Sequence, residues 1–127
     1  MALTKTAVTV VSSQTRTAGG AAVRGRADLA DAYGAFLTIK ITNGATGPAA
    51  QCVCKIMVAH NAALPAAAAE GADWKVIAQY GGGLTANAIT EVGIPIDIAV
   101  MHLQVDFDDN TSQNVTVEAF LSEVTTV

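Results

Sequence analysis

With 127 residues, 51% of them hydrophobic, 14% charged and 5% aromatic, the chain has material for one core and is too apolar and charge-poor for a disordered segment. No run approaches the ~18 to 20 consecutive apolar residues of a membrane-spanning helix. The net charge of −4 offers no general attraction to nucleic acid. A single domain over 1–127 is expected, with residues 1–21 free to extend as an N-terminal arm.

Val, Ile and Thr together supply 36 β-branched residues, which favours strands over helices. The first strand signals are Lys5 to Ser12 and Ala22 to Leu29, separated by a polar, Gly-containing loop. A short helical turn could form between Asp28 and Gly34. From Phe36 to Thr42, Leu37, Ile39 and Ile41 alternate with Thr38, Lys40 and Thr42, the period of a half-buried strand. Turn formers from Asn43 to Pro48 end it, and Gln51 to His60 follows with Cys52, Cys54, Ile56 and Val58 on one face. These two strands read as antiparallel neighbours.

The alanine-rich stretch Asn61 to Gly71 reads as a loop with at most one helical turn. Trp74, Val76, Ala78 and Tyr80 then share one side of a strand that Gly81-Gly82-Gly83 terminates. The apolar parity flips between the series Ile94, Ile96, Ile98, Val100 and the series Met101, Leu103, Val105, Phe107. A continuous strand would turn its core face outward there, so a bulge or break is expected near Ala99 to Met101, with Pro95 marking an edge strand or a strand start. After the turn Asp108 to Ser112, Val115, Val117, Ala119 and Leu121 alternate again, and the last two strands read as a hairpin. About eight strands predict an all-β, antiparallel β-sandwich, jelly-roll-like, with an immunoglobulin-like sandwich as the alternative.

Charge is divided unevenly: residues 1–60 carry six basic and two acidic side chains, residues 61–127 one basic and nine acidic. The basic segment Arg16, Arg24 and Arg26 is a candidate docking arm for an acidic partner. Mean hydropathy of +0.40 also leaves apolar surface that a domain of this size has no room to bury. Ala66 and Ala67 in the alanine-rich loop and Leu84 after the glycines are the other candidate partner contacts.

Catalytic chemistry has little support. Cys52 and Cys54, two apart on a strand, sit too far apart for a disulfide and lack the second ligand pair of a zinc site, so they read as small core residues. Free core thiols suit a reducing cytosol, and the N-terminus shows no standard secretory signal, so the sequons at Asn110 and Asn114 are expected to go unused. Asp106, Asp108 and Asp109 offer oxygen ligands for a cation but lack EF-hand spacing, and a solvated turn is the plainer reading. His102 falls on the polar side of its strand and reads as a surface histidine. No nucleophile elbow or phosphate loop is present, and no catalytic, cofactor or metal residues are assigned.

The stretches Ala27-Asp-Leu-Ala-Asp-Ala-Tyr-Gly-Ala-Phe-Leu-Thr-Ile-Lys-Ile-Thr-Asn-Gly44, Trp74-Lys-Val-Ile-Ala and Asn110-Thr-Ser-Gln-Asn-Val-Thr-Val-Glu-Ala119 resemble small β-sandwich structural proteins of tailed bacteriophages, in particular capsid cement or decoration proteins. The likeness is of pattern, over residues 22–125. It implies a virion protein made in the host cytoplasm, located on the capsid surface, assembling as a homodimer or homotrimer and holding neighbouring major capsid subunits together, without nucleic acid, membrane or cofactor. A tail-fibre or tail-tip sandwich that binds a host surface glycan is the competing expectation. It is disfavoured at this level because the few aromatics are wanted for the core.

Overall fold

In the computed structural model, which describes residues 3–126, the alternating segments form eight strands and, among the described residues, no helix. They are β1 (Thr4–Arg16), β2 (Val23–Asp28), β3 (Ala35–Asn43), β4 (Val53–Ala59), β5 (Lys75–Gly81), β6 (Ile89–Ile96), β7 (His102–Asp108) and β8 (Val115–Thr126). Two four-stranded sheets, ordered β1-β8-β3-β6 and β2-β7-β4-β5, pack face to face with every pairing antiparallel. Strands pair outermost with outermost: β1 with β8, β2 with β7, β3 with β6 and β4 with β5. The chain is thus one long hairpin, β1–β4 against β5–β8, rolled so that β3 also meets β8 and β4 meets β7. That is the jelly roll, and it replaces the immunoglobulin-like alternative.

The inward faces carry the expected residues. Leu37, Ile39 and Ile41 of β3 and Val115, Val117, Ala119 and Leu121 of β8 meet Cys54 and Ile56 of β4 and Leu103, Val105 and Phe107 of β7 in one buried cluster. The parity flip after Ile96 falls where the chain leaves the first sheet for the second. Asp97 turns it there, its carbonyl accepting from Val100 N at 3.1 Å and its carboxylate from Ala99 N at 2.8 Å. Pro95 lies on β6, an edge strand, where a missing N–H costs no ladder bond.

Other expectations need correcting. β3 and β4 are not neighbours but lie in opposite sheets, and β7 and β8 form no hairpin, since the connection over 109–114 crosses the sandwich. Alternation says which side chains are inward. It does not say which strand lies alongside, because all inward faces are chemically alike. The N-terminal segment is not a free arm: residues 4–16 form β1, paired along β8, while residues 1 and 2 lie outside the described residues. The turn between Asp28 and Gly34 contains no helix.

Two backbone irregularities do what simple alternation does not. In β1 the register slips between Thr9 and Val11, so consecutive Val10 and Val11 are both buried. In β5 a slip at Ile77 leaves Ala78 opposite inward Ile56 but Val76 opposite outward Met57. The shared side expected of Trp74, Val76, Ala78 and Tyr80 is therefore divided: the first two pack outside the sheet and the last two against the core.

The bulged part of β1 closes one edge of the sandwich against β2. A Cβ on Gly25 would collide with the Val10 carbonyl and lie 2.7 Å from Val11 Cγ2, so only glycine permits this approach. Gly25→Ala should force β1 and β2 apart and lower stability by about 1–3 kcal/mol, read as a drop in the urea unfolding midpoint.

Candidate functional site

The two outer faces of the sandwich differ in kind. On the β2-β7-β4-β5 sheet, the outward residues of β7 are His102, Gln104 and Asp106, and all three are buried. Direct cross-strand pairing places Arg24 and Lys55 on either side of Asp106, Arg26 and Met57 beside Gln104, and Asp28 and Ala59 beside His102. Arg24 Nε donates to Asp106 at 2.6 Å.

The remaining cover comes from the connection between β4 and β5. Gln104 grips Ala68 like a short strand, donating to its carbonyl at 2.6 Å and accepting from its N–H at 3.1 Å. Trp74 Nε1 donates to Ala66 O at 2.9 Å, Arg26 to Pro65 O at 2.7 Å, and His102 Nε2 lies 2.8 Å from Asn61 O. Beneath this strap Met57, Ala59 and Trp74 form a second small core with Leu64 and Val76. His102 is therefore an interior residue rather than a surface one, its Nδ1 3.3 Å from an Asp28 carboxylate oxygen.

The candidate contact residues are thereby dispersed. Arg16 is only 2% exposed: its side chain plugs the end of the sandwich, bonding Asp108 and Asn110 and donating to the carbonyls of Thr17 and Gly20. Arg24 is held by Asp106, and Arg26, though exposed, serves the strap. Arg16 is thereby removed from the basic docking arm, while Arg24 and Arg26 stay exposed; the solvated acidic turn is corrected as well, because Asp106 and Asp108 are the partners of Arg24 and Arg16. Ala66 and Ala67 are exposed on the strap. Leu84 is exposed on the connection between β5 and β6, which Asn43 anchors by donating to the carbonyls of Gly82, Gly83 and Thr85.

The other outer face, on β1-β8-β3-β6, has no such cover. Across it run the rows Ala7, Ser122, Phe36, Pro95; then Thr9, Phe120, Thr38, Gly93; then Glu118, Lys40, Glu91; then Thr116, Thr42, Ile89. Phe36, Phe120 and Ile89 are 49, 45 and 61% exposed. The Phe36 ring lies over Gly93, where a Cβ would come 2.7 Å from its Cζ.

At the Phe36 end the face runs into a groove of about 420 Å³ lined by Tyr33, Phe36, Ile96 and Ile98, with Lys5 and Glu123 among the polar residues of its lining. Tyr33 and Ile98 are exposed. Three of the six aromatic residues, Tyr33, Phe36 and Phe120, are consequently on the surface, and the reasoning that reserved the aromatics for the core does not hold. Neither the groove nor the open face was legible as a site. One sequence signal was that Phe36 and Phe120 sit out of phase with the apolar alternation of their strands.

The thiols offer no chemistry. Cys52 and Cys54 are free and fully buried, and burial pushes the Cys52 thiol from 9.0 up to about 12 despite the opposing charge of Arg16. Burial raises Cys54 as well, with Cys52 and Asp106 adding to the effect. Among the described residues, no group of three His, Cys, Asp or Glu side chains is placed to hold a metal ion.

No protein-family model and no curated protein matches the sequence. Among solved structures, the chain is similar to a "Family 16 Carbohydrate Binding Module-2" (TM-score 0.48, 12% identity, covering 84% of this chain and 71% of that one). It is also similar to a chain of the "Structure of infectious bursal disease virus Gx strain" (TM-score 0.49, 12% identity), over 96% of its own length but only 32% of the viral chain. The jelly-roll assignment rests on the strand order itself.

Two outcomes follow from this geometry. Arg24→Glu sets a second carboxylate against buried Asp106 and should cost about 3 kcal/mol or more, whereas Arg26→Glu at an exposed position should cost less than about 1 kcal/mol; urea denaturation of each variant measures the difference. Unfolded thiols ionise near pH 9 while Cys52 in the folded chain holds its proton until about 12. Stability should therefore fall as pH rises through that window, by up to about 1.4 kcal/mol per pH unit for each thiol. In a Cys52→Ala/Cys54→Val variant the alkaline slope should flatten.

Proposed function

We propose that this chain is a virion structural protein, a capsid cement or decoration protein of a tailed bacteriophage that stabilises contacts between major capsid subunits. The observation that carries it is the asymmetry of the two outer faces. One is covered over its middle by the chain's own strap, and the other, with its end groove, keeps Phe36, Phe120, Ile89, Tyr33 and Ile98 in water. Such a patch on a small β-sandwich fits a protein-contact surface. The buried polar groups support the same reading, because Arg16, Asp106, His102 and Gln104 hold the fold together instead of converging on a cleft. In this reading the end groove, with Tyr33 and Ile98, seats on the shell, and each weak contact is multiplied by the shell's symmetry. The protein is made in the host cytoplasm and resides on the capsid surface.

A second reading is favoured by one observation. Tyr33 and Phe36 present two exposed rings at a depression whose lining includes Lys5 and Glu123, an arrangement that would also suit the apolar face and hydroxyls of a sugar. This is the tail-fibre or tail-tip module that binds a host surface glycan.

Co-sedimentation with empty heads built from the phage's own major capsid protein separates the two. The cement reading expects saturable, stoichiometric binding that raises the temperature at which the heads disrupt. It also expects Ile98→Asp to weaken that binding at least tenfold without moving the unfolding midpoint. Absence of head binding, together with glycan-dependent attachment to host cells that Tyr33→Ala abolishes, would overturn it in favour of the module.

A further inference from the structure

We infer that the open face of the β1-β8-β3-β6 sheet binds a second copy of this chain, face to face, about a two-fold axis running parallel to the strands between β3 and β8. The inference rests on reading that face as a protein-contact surface and not on any role in a virion. The face spans four strands and about eight residues, roughly 20 by 25 Å, the scale of one side of a specific interface.

The register supplies the argument. Within one chain Lys40 on β3 lies directly opposite Glu118 on β8. A two-fold axis between these strands carries β3 of each copy over β8 of the other at the same height. Lys40 then faces the second copy's Glu118 and Glu118 faces the second copy's Lys40, so that four charges alternate in sign around a square. No other pair of oppositely charged residues on the face lies on neighbouring strands astride its midline: Glu91, the other carboxylate opposite Lys40, is on edge strand β6.

The apolar residues agree with the same operation. Phe120 passes over the second copy's Thr38, one row from the second copy's Phe36, a diagonal spacing that aromatic side chains bridge. Each phenyl group, already diagonal to the other within its own chain, is thus also set one row from its counterpart on the second copy. Ile89, the most exposed apolar side chain of the rows, is carried over the second copy's β1, beside a shallow depression of about 160 Å³ whose lining includes Ser13, Thr116 and Glu118. On the opposite sheet the strap already covers the middle of the outer face, over Gln104 and His102.

Sedimentation velocity of the full chain, without heads or glycan, tests the proposal. A concentration-dependent dimer is expected, weakened at least tenfold by Phe120→Asp, with cooperative urea unfolding of the variant showing that it still folds. Lys40→Glu and Glu118→Lys should each reduce self-association. Mixing the two variants should restore it, since both carboxylates of the first then face both ammonium groups of the second. A chain that stays monomeric at high concentration, a dimer indifferent to Phe120→Asp, or charge variants that fail to rescue each other would overturn the proposal. Because heads are absent from the experiment, these results are independent of whether the end groove binds a shell.

Discussion

Strand β7 must be buried on both of its faces, and the rest of the molecule is arranged around that requirement. Its inward residues Leu103, Val105 and Phe107 are ordinary core. Its outward residues are a histidine, a glutamine and an aspartate, and burying any of them without partners would cost several kcal/mol. Each is answered from a different place: Asp106 by Arg24 of β2, Gln104 by the backbone of Ala68, and the Nε2 of His102 by the Asn61 carbonyl. The strap between β4 and β5 is thus a third layer, held by polar anchors and packed by Trp74.

The same folding logic accounts for the charge division along the chain. Rolling one long hairpin sets the basic half, β1 to β4, against the acidic half, β5 to β8. Arg16 and Arg24 therefore meet Asp108 and Asp106 over separations of 92 and 82 residues. Of the basic docking segment, Arg16 is thereby taken inside the fold and Arg24 is paired at its surface. The charges left on the open face, Lys40 between Glu91 and Glu118, are few and nearly balanced. That balance suits a surface which trades water for another protein better than a strongly charged face would.

Closure of the sandwich depends on local departures from regular pleating. The bulge that turns Val10 and Val11 inward brings the β1 backbone against Gly25, and the slip at Ile77 turns Val76 out to the strap while Ala78 faces the core. Both bend strands at the edges of the sheets, where pairing on one side alone leaves the backbone room to deviate. Asn43 and Arg16 then tie the connections at the far end, so Leu84 is presented by an anchored loop.

The sequence by itself determined the fold class, most of the strand positions, the inward face of each regular strand and a break near Ala99 to Met101, which the structure begins after Ile96. These depend on a period of two in side-chain polarity, which is a local property. It also determined that apolar surface would be left over, because the charge fraction is too low to coat a domain of this length. Only the tertiary structure decided which strand lies beside which, because any apolar inward face is compatible with any other and register is set by the closing of the whole roll. It alone sent Arg16 and His102 inside, since the partners Asp108 and Asn61 lie 92 and 41 residues away in the chain. And it alone chose which sheet keeps its outer face bare: the strap reaches the side where Gln104 and Trp74 can hold it, and Phe36 and Phe120 remain on the other.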